Sequence, residues 1–325
     1  MRNSLMKIVR NTAFPIFVLL IAFIIINGAM SGFTSSFVVG FFTSNFALCC
    51  VTIGTAVIIM GGGIDVSLGA MVALINCIFT QLVEHGWNFG LAVVVSLLIS
   101  MACGALNGTV VGFFRVSPML ATFGSLSIFS GLALTVLPLP GGTMPVGFRN
   151  FYMGTIAGIP IALLIIIALL LLAFLVHRSP LGTKIIAVGL DAPKSFISGV
   201  RVNSVTFFTY VFAGFVCGVG AIGLTANMGG GDPNVGTALS MSAIASCVIG
   251  GVALSGGKGN ALGAVFGSLF FGLLINTVIA ARTPSFQQGM IRGIILLVGM
   301  IVAAVLLRGT TSTRAKQLRN EGAND

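Results

Sequence analysis

Asp65 follows three consecutive glycines and stands two residues before Ser67, in the stretch Met60-Gly-Gly-Gly-Ile-Asp-Val-Ser67. A carboxylate at the start of an apolar run can accept the open amides of a helix N-terminus, so Asp65 reads first as a structural helix cap. The other acidic residues, Glu84, Asp191, Asp232, Glu321 and Asp325, fall in loops, at the ends of apolar runs or in the C-terminal tail. A proton relay needs carboxylates or basic groups within the membrane, and it is not expected here. Neutral polar side chains are better placed. Ser67, Asn76, Asn107, Thr122, Asn227 and Asn276 are spread through the apolar runs and can hydrogen-bond a hydroxylated solute along a pathway. Each can equally bond a neighbouring helix, which is the plainer reading.

The segment Gly251-Val-Ala-Leu-Ser-Gly-Gly-Lys258-Gly259 has the look of a phosphate-binding loop. Its first glycine is one residue out of register, and glycine stands where Ser or Thr should hold magnesium. It reads instead as a tight turn between short helices. Cysteines 49, 50, 77, 103, 217 and 247 all lie inside apolar runs, without metal-ligand spacing, and read as small buried hydrophobes. No catalytic residue, metal site or bound cofactor is expected, so the chain is not expected to be an enzyme.

The elements that carry these residues are apolar runs. Hydrophobic residues make up 57% of the chain and charged residues 7%, too little polar material to cover a soluble protein of 325 residues. Ten runs are legible, at 12–31, 37–60, 65–84, 89–113, 117–137, 157–176, 205–226, 240–254, 261–281 and 289–307. Most approach the ~20 residues that cross a bilayer as helix. The expected fold is therefore an all-α polytopic membrane protein, a single transmembrane domain over 1–325 with a short polar, disordered tail from 309.

The net charge of +10 does not signal nucleic acid. With both termini in the cytoplasm, only Arg149 and Arg282 face outside and Arg292 lies within the last run, while the other thirteen of sixteen basic residues lie inside. The N-terminal basic stretch and first run are read as an uncleaved first span. Gly62-Gly63 and Gly69 match Gly250-Gly251 and Gly256-Gly257, and Asn107, Arg115 and Pro118 match Asn276, Arg282 and Pro284. The matched arginines fall on opposite sides, which predicts two inverted halves of about five helices each, with chance similarity as the competing explanation. Glycines spaced by four at 104/108/112, 214/218 and 259/263/267 predict closely packed helices.

Four ordered segments between about residues 40 and 305 resemble the permease subunits of bacterial ABC importers for ribose, xylose, galactose and related small solutes. They are Met60–Gly69, Ser117–Gly124, Pro180–Gly189 running on to Val200, and Ile249–Gly259. The resemblance implies a membrane-spanning permease subunit whose pathway forms in a dimer, from two copies or a copy and a paralogue. It also implies a cytoplasmic ABC ATPase that carries the ATP and magnesium, and a periplasmic solute-binding protein at the outward loops 138–156 and 227–239. The loop 182–201 would be the ATPase-coupling loop, with Gly189, Asp191, Ala192, Pro193, Lys194, Ser195, Phe196 and Gly199 carrying that role. Asp191 can cap a short helix with Pro193 in its first turn. The sequence Leu190-Asp191-Ala192-Pro193-Lys194 departs from the family's usual Asn, acidic residue and paired alanines. A plain amphipathic loop lying on anionic lipid is the alternative for this segment. For the whole chain, the alternatives are a stand-alone secondary carrier or facilitator, or a structural membrane subunit. The scarcity of Trp and Tyr against 26 phenylalanines points to a passage of low affinity, with selectivity on the separate binding protein. The expected location is the bacterial inner membrane.

Overall fold

A computed structural model describes residues 34–236 and 238–280, with isolated positions at 21, 287, 290, 291, 293 and 294. The runs read at 12–31 and, but for those isolated positions, 289–307 lie outside the described residues, as does the tail. The chain divides into two compact units, Met1–Leu273 and Leu274–Asp325. The first unit holds everything that follows unless stated.

The helices are α1 (Ser35–Met60), α2 (Leu68–Glu84), α3 (Phe89–Gly112), α4 (Pro118–Val136), α5 (Val146–Tyr152), α6 (Ile161–Arg178), α7 (Pro180–Leu190), α8 (Ala192–Ile197), α9 (Val202–Met228), α10 (Leu239–Ile249) and α11 (Ala261–Ala280). A two-residue antiparallel hairpin, β1 (Thr155–Ile156) and β2 (Ile159–Pro160), joins α5 to α6. Among them α1, α3, α4, α6 and α9 are long and apolar enough to cross a membrane, while α2, α7, α10 and residues 261–277 of α11 are shorter apolar helices. The protein is thus helical and polytopic.

Thr34 caps α1 through its hydroxyl, and from Phe41 to Met60 nearly every residue of that helix is buried. A helix that is apolar and buried all round belongs at the centre of a bundle. Helix α9 runs between α1 and α3 and packs on both. The α3–α9 contact explains two of the glycine series. A side-chain carbon at Gly104 would sit 3.2 Å from the Cα of Gly214, one at Gly108 2.9 Å from the carbonyl of Phe207, and one at Gly112 2.8 Å from that of Asn203. The series 259/263/267 is different. Gly259 lies before α11 in a left-handed turn (φ 147°), and only Gly263 and Gly267 meet α10, at Gly250 and Ser246. Glycine at 259 serves the turn and not helix packing.

The bundle has two ends. At one, the turns after α1, between α7 and α8, and after α10 meet through Gly62, Gly189, Gly256 and Gly257. At the other, Gly141 and Gly231 exchange backbone hydrogen bonds at 2.8 and 3.0 Å, tying the loop after α4 to the loop after α9. Of the seven Lys and Arg in the described residues, Arg149 alone belongs to the second end; Arg115, Arg178, Lys184, Lys194, Arg201 and Lys258 belong to the first.

Candidate functional site

Three helices bring polar side chains from distant parts of the sequence to one buried point. The turn from Gly61 to Ser67 delivers Asp65 to the start of α2, where Ser67 is the residue that begins the helix. Asp65 Oδ1 accepts both the amide and the hydroxyl of Ser67 at 2.7 Å. From α3, the Asn107 amide donates to Ser67 Oγ at 2.8 Å and to Asp65 Oδ2 at 3.4 Å. From α4, the Ser125 hydroxyl donates to Asn107 Oδ1 at 2.5 Å. Thr122, one turn earlier, accepts the amide of Val66 at 3.3 Å and donates to the carbonyl of Pro118 at 2.9 Å. Asp65, Ser67, Asn107 and Thr122 are fully buried and Ser125 nearly so.

Buried polar groups are tolerated only when their partners are supplied, and here each is engaged. Among the described residues the one ion pair joins Asp191 and Lys194, far from Asp65 in the sequence. The Asp65 carboxylate is held by hydrogen bonds and by the positive end of α2 instead. Among the described residues no three His, Cys, Asp or Glu side chains gather as metal ligands would, and the six cysteines are free, all buried except the half-buried Cys103.

The second feature is the α7–α8 elbow. Ser179 accepts the amide of Gly182 and Pro180 occupies the first turn, which starts α7. Asp191 ends α7 and caps α8, accepting the amide of Lys194 at 2.9 Å and its ammonium at 2.8 Å. Those bonds, the side-chain one foremost, hold Asp191 below its ordinary carboxylate pKa. Pro193 lies in the first turn of α8. The helix ends at Ile197, two residues short of Gly199, which is left-handed (φ 82°). Its outer face is apolar: Phe196 is 65% exposed and Ile197 84%, beside Leu190 at 59%.

This elbow is seated directly on the bundle. Any side-chain carbon at Gly189 would overlap the carbonyl oxygen of Met60, and one at Gly256 would meet Gly62 and the carbonyl of Gly189. The Gly257 amide donates to the Met60 carbonyl at 2.9 Å. Three separate stretches of sequence thus touch backbone to backbone, with the Leu190 side chain laid against Gly257 beside the contact.

The profile of the family described as branched-chain amino acid transport system / permease component matches residues 37–304. The chain belongs to that permease family. The permease is 30% identical over 256 residues to the ribose import permease protein of Bacillus subtilis, covering 78% of this chain and 80% of that one. It is 30% identical to the D-allose transport system permease protein of Escherichia coli over 84% and 83% of the two chains. It is 28% identical to the autoinducer 2 import system permease protein of Escherichia coli over 82% and 84%. No solved structure matches the chain.

Not every polar residue singled out in the permease joins the Asp65 cluster. Asn76, on the same helix α2, is fully buried, and it works as a latch for the opposite end of the bundle. It donates to Thr225 Oγ1 at 2.7 Å and to the Gly230 carbonyl at 3.3 Å, and accepts the Asp232 amide at 2.7 Å. Asn227 is half-buried near the end of α9. Asn276 lies on α11 in the second unit. Ser125 was missed, although it had a signal: it stands one helical turn after Thr122, on the same face of α4.

Proposed function

We propose that this permease is the membrane-spanning subunit of an ATP-driven importer for a small, uncharged, hydroxylated solute, a monosaccharide in the first instance. The observation that carries the reading is the α8 elbow. An exposed apolar pair, Phe196 and Ile197, sits on a short capped helix that follows directly on α7, whose Gly189 is seated backbone to backbone on the core of the bundle. Exposed apolar surface of this kind marks an interaction site. A push on α8 passes through α7 to the Gly189–Met60 contact, where backbone meets backbone, and so to α1 and the turn that carries Asp65. A partner ATPase, holding ATP and magnesium, supplies that push.

Six of the seven described basic residues gather at the α8 end, which supports a cytoplasmic position for that end. With ten spans in two inverted halves, both termini share that side, in the bacterial inner membrane. The opposite end, with α5, the β1–β2 hairpin and the Gly141–Gly231 bridge, then receives a periplasmic solute-binding protein. The pathway forms between two such subunits, identical or paralogous. On α4, Gly124, Ser127, Gly131 and Thr135 lie on one exposed face, and a side-chain carbon at either glycine would meet nothing within 4 Å. Small residues on an exposed helix face let a second backbone approach closely. The solute class follows the relatives that import ribose and allose, and the buried Ser67, Asn107 and Thr122 supply neutral hydrogen-bonding groups beside the moving turn.

The direct test replaces Lys194 with Glu and Phe196 with Asp together. Uptake driven by ATP is expected to vanish while the amount of permease in the membrane is unchanged. Unaltered uptake by the double variant would remove the coupling role of α8.

A further inference from the structure

A groove of about 800 Å³ follows the last three turns of α6, lined also by the end of α1, the start of α7 and the start of α11. Of its lining, Val57, Met60 and Ile185 are buried, whereas Leu171, Phe174 and Leu262 are exposed. The groove is therefore open to the surroundings of the bundle and not an enclosed core void. Helix α6 is long and apolar enough to cross a membrane, so those surroundings are lipid.

The lining turns polar where α6 ends, at Arg178, Thr183 and Asn260. Arg178 is the last residue of α6, and its guanidinium lies over the ring of Phe174, 5.2 Å from the centroid. That stacking holds the charge beside the groove. Among the described residues no Asp or Glu lines the groove, and the one ion pair, Asp191 with Lys194, does not include Arg178. The apolar runs outside the described residues, 12–31 and 289–307, contain no Asp or Glu either. In the tail, Glu321 and Asp325 follow Arg314, Lys316 and Arg319, which compete for them. The chain thus supplies no apolar segment with a negative charge to match the groove. An anionic phospholipid has both parts, and basic sites between helices at the membrane surface suit its headgroup.

We propose that this groove is a binding site for one anionic phospholipid, with an acyl chain along α6 and the phosphate on Arg178. The inference needs α6 to lie in a membrane, and it does not depend on the importer reading. The base of the groove is Met60 with Ile185 of α7, so a bound chain fills the wedge between α6 and the α1–α7 pair.

The test uses the full-length permease, purified in mild detergent and titrated with phosphatidylglycerol or with phosphatidylcholine of the same chains. Native mass spectrometry counts the lipid retained. Phosphatidylglycerol is expected to bind about fivefold more tightly, the effect of one basic residue on an anionic lipid. Arg178→Gln should bring the two lipids to parity, and Arg178→Lys should keep the preference. Thr183→Trp, at an exposed position of the lining, should lower retention of both lipids by filling the groove. Both positions are exposed, so these effects are not ones of misfolding. Equal retention of the two lipids by the wild type would make the groove ordinary lipid contact and overturn the site. A preference that survives Arg178→Gln would overturn it as well. Lipid binding that appears only after residues 309–325 are deleted would give the groove to the chain's own tail instead.

Discussion

Gly189 lies against Met60 so closely that the carbonyl oxygen of Met60 occupies the space a Gly189 side chain would need. The contact joins the last turn of α7 to the last residue of α1, and through Gly257 it joins both to the turn after α10. Rigid contact of backbone on backbone suits the transmission of a displacement, because no rotamer can absorb it.

Gly189→Ala is therefore expected to lower stability by about 2 kcal/mol through overpacking and to uncouple transport. Gly124→Ala, which meets nothing within 4 Å, is expected to leave stability unchanged. Thermal unfolding of both variants in detergent, with uptake assays beside it, checks the contrast. Equal behaviour of the two would mean that the junction is not tight.

Asn107 links α2, α3 and α4 by three hydrogen bonds. At about 0.6 kcal/mol for an average interhelical bond in a membrane protein, Asn107→Ala should lose about 2 kcal/mol. Ser125→Ala removes one of those bonds and should lose a third as much. Unfolding midpoints for the two variants would reveal the ratio, and a Ser125 effect as large as that of Asn107 would contradict the network.

The transmembrane runs were legible because hydropathy and glycine breaks mark them. The run at 37–60 is α1 from Ser35 to Met60, and that at 89–113 is α3 from Phe89 to Gly112. The Asp191 cap was legible for a local reason: an acidic residue two before a proline has the chemistry of a helix start. The company of Asp65 was not legible. Asn107 lies forty-two residues away and Ser125 on a further helix, and only the crossing of α2, α3 and α4 brings them together. In the same way, the glycine series at 104/108/112 and 214/218 announced close packing without saying that they pack on each other. Asn76 resembled the pathway asparagines in type and setting, yet its bonds run to the opposite loops.

Asp191 makes a prediction with a sign. Its carboxylate is held below the ordinary value by Lys194, so the cap is intact above the usual carboxylate pKa of about 4 and is lost only as pH falls further. Coupling should therefore not change between pH 5 and 8 on account of this group. Asp191→Asn keeps a capping oxygen and should transport; Asp191→Ala loses the cap and should transport poorly. ATP-driven uptake measured for both variants separates capping from charge. A defect equal in the two would assign the role to the ion pair instead.

On α4, Ser127→Cys tests the exposed face directly. If two copies meet there, mild oxidation of membranes should yield a covalent dimer of this chain, whereas Cys at Leu120, on the same helix but near its start, should cross-link less. Cross-linking at neither position, with transport intact, would move the subunit interface to another helix.

On the proposed function, solute moves through this permease only when an ATPase acts on α8. The most direct measurement is purification of the tagged chain expressed with its chromosomal neighbours, followed by an ATPase assay and solute uptake in liposomes. A nucleotide-hydrolysing subunit is expected to co-purify and to be lost when residues 191–196 are altered, with uptake only when ATP is supplied. A chain that purifies alone and carries solute into liposomes without ATP would contradict it.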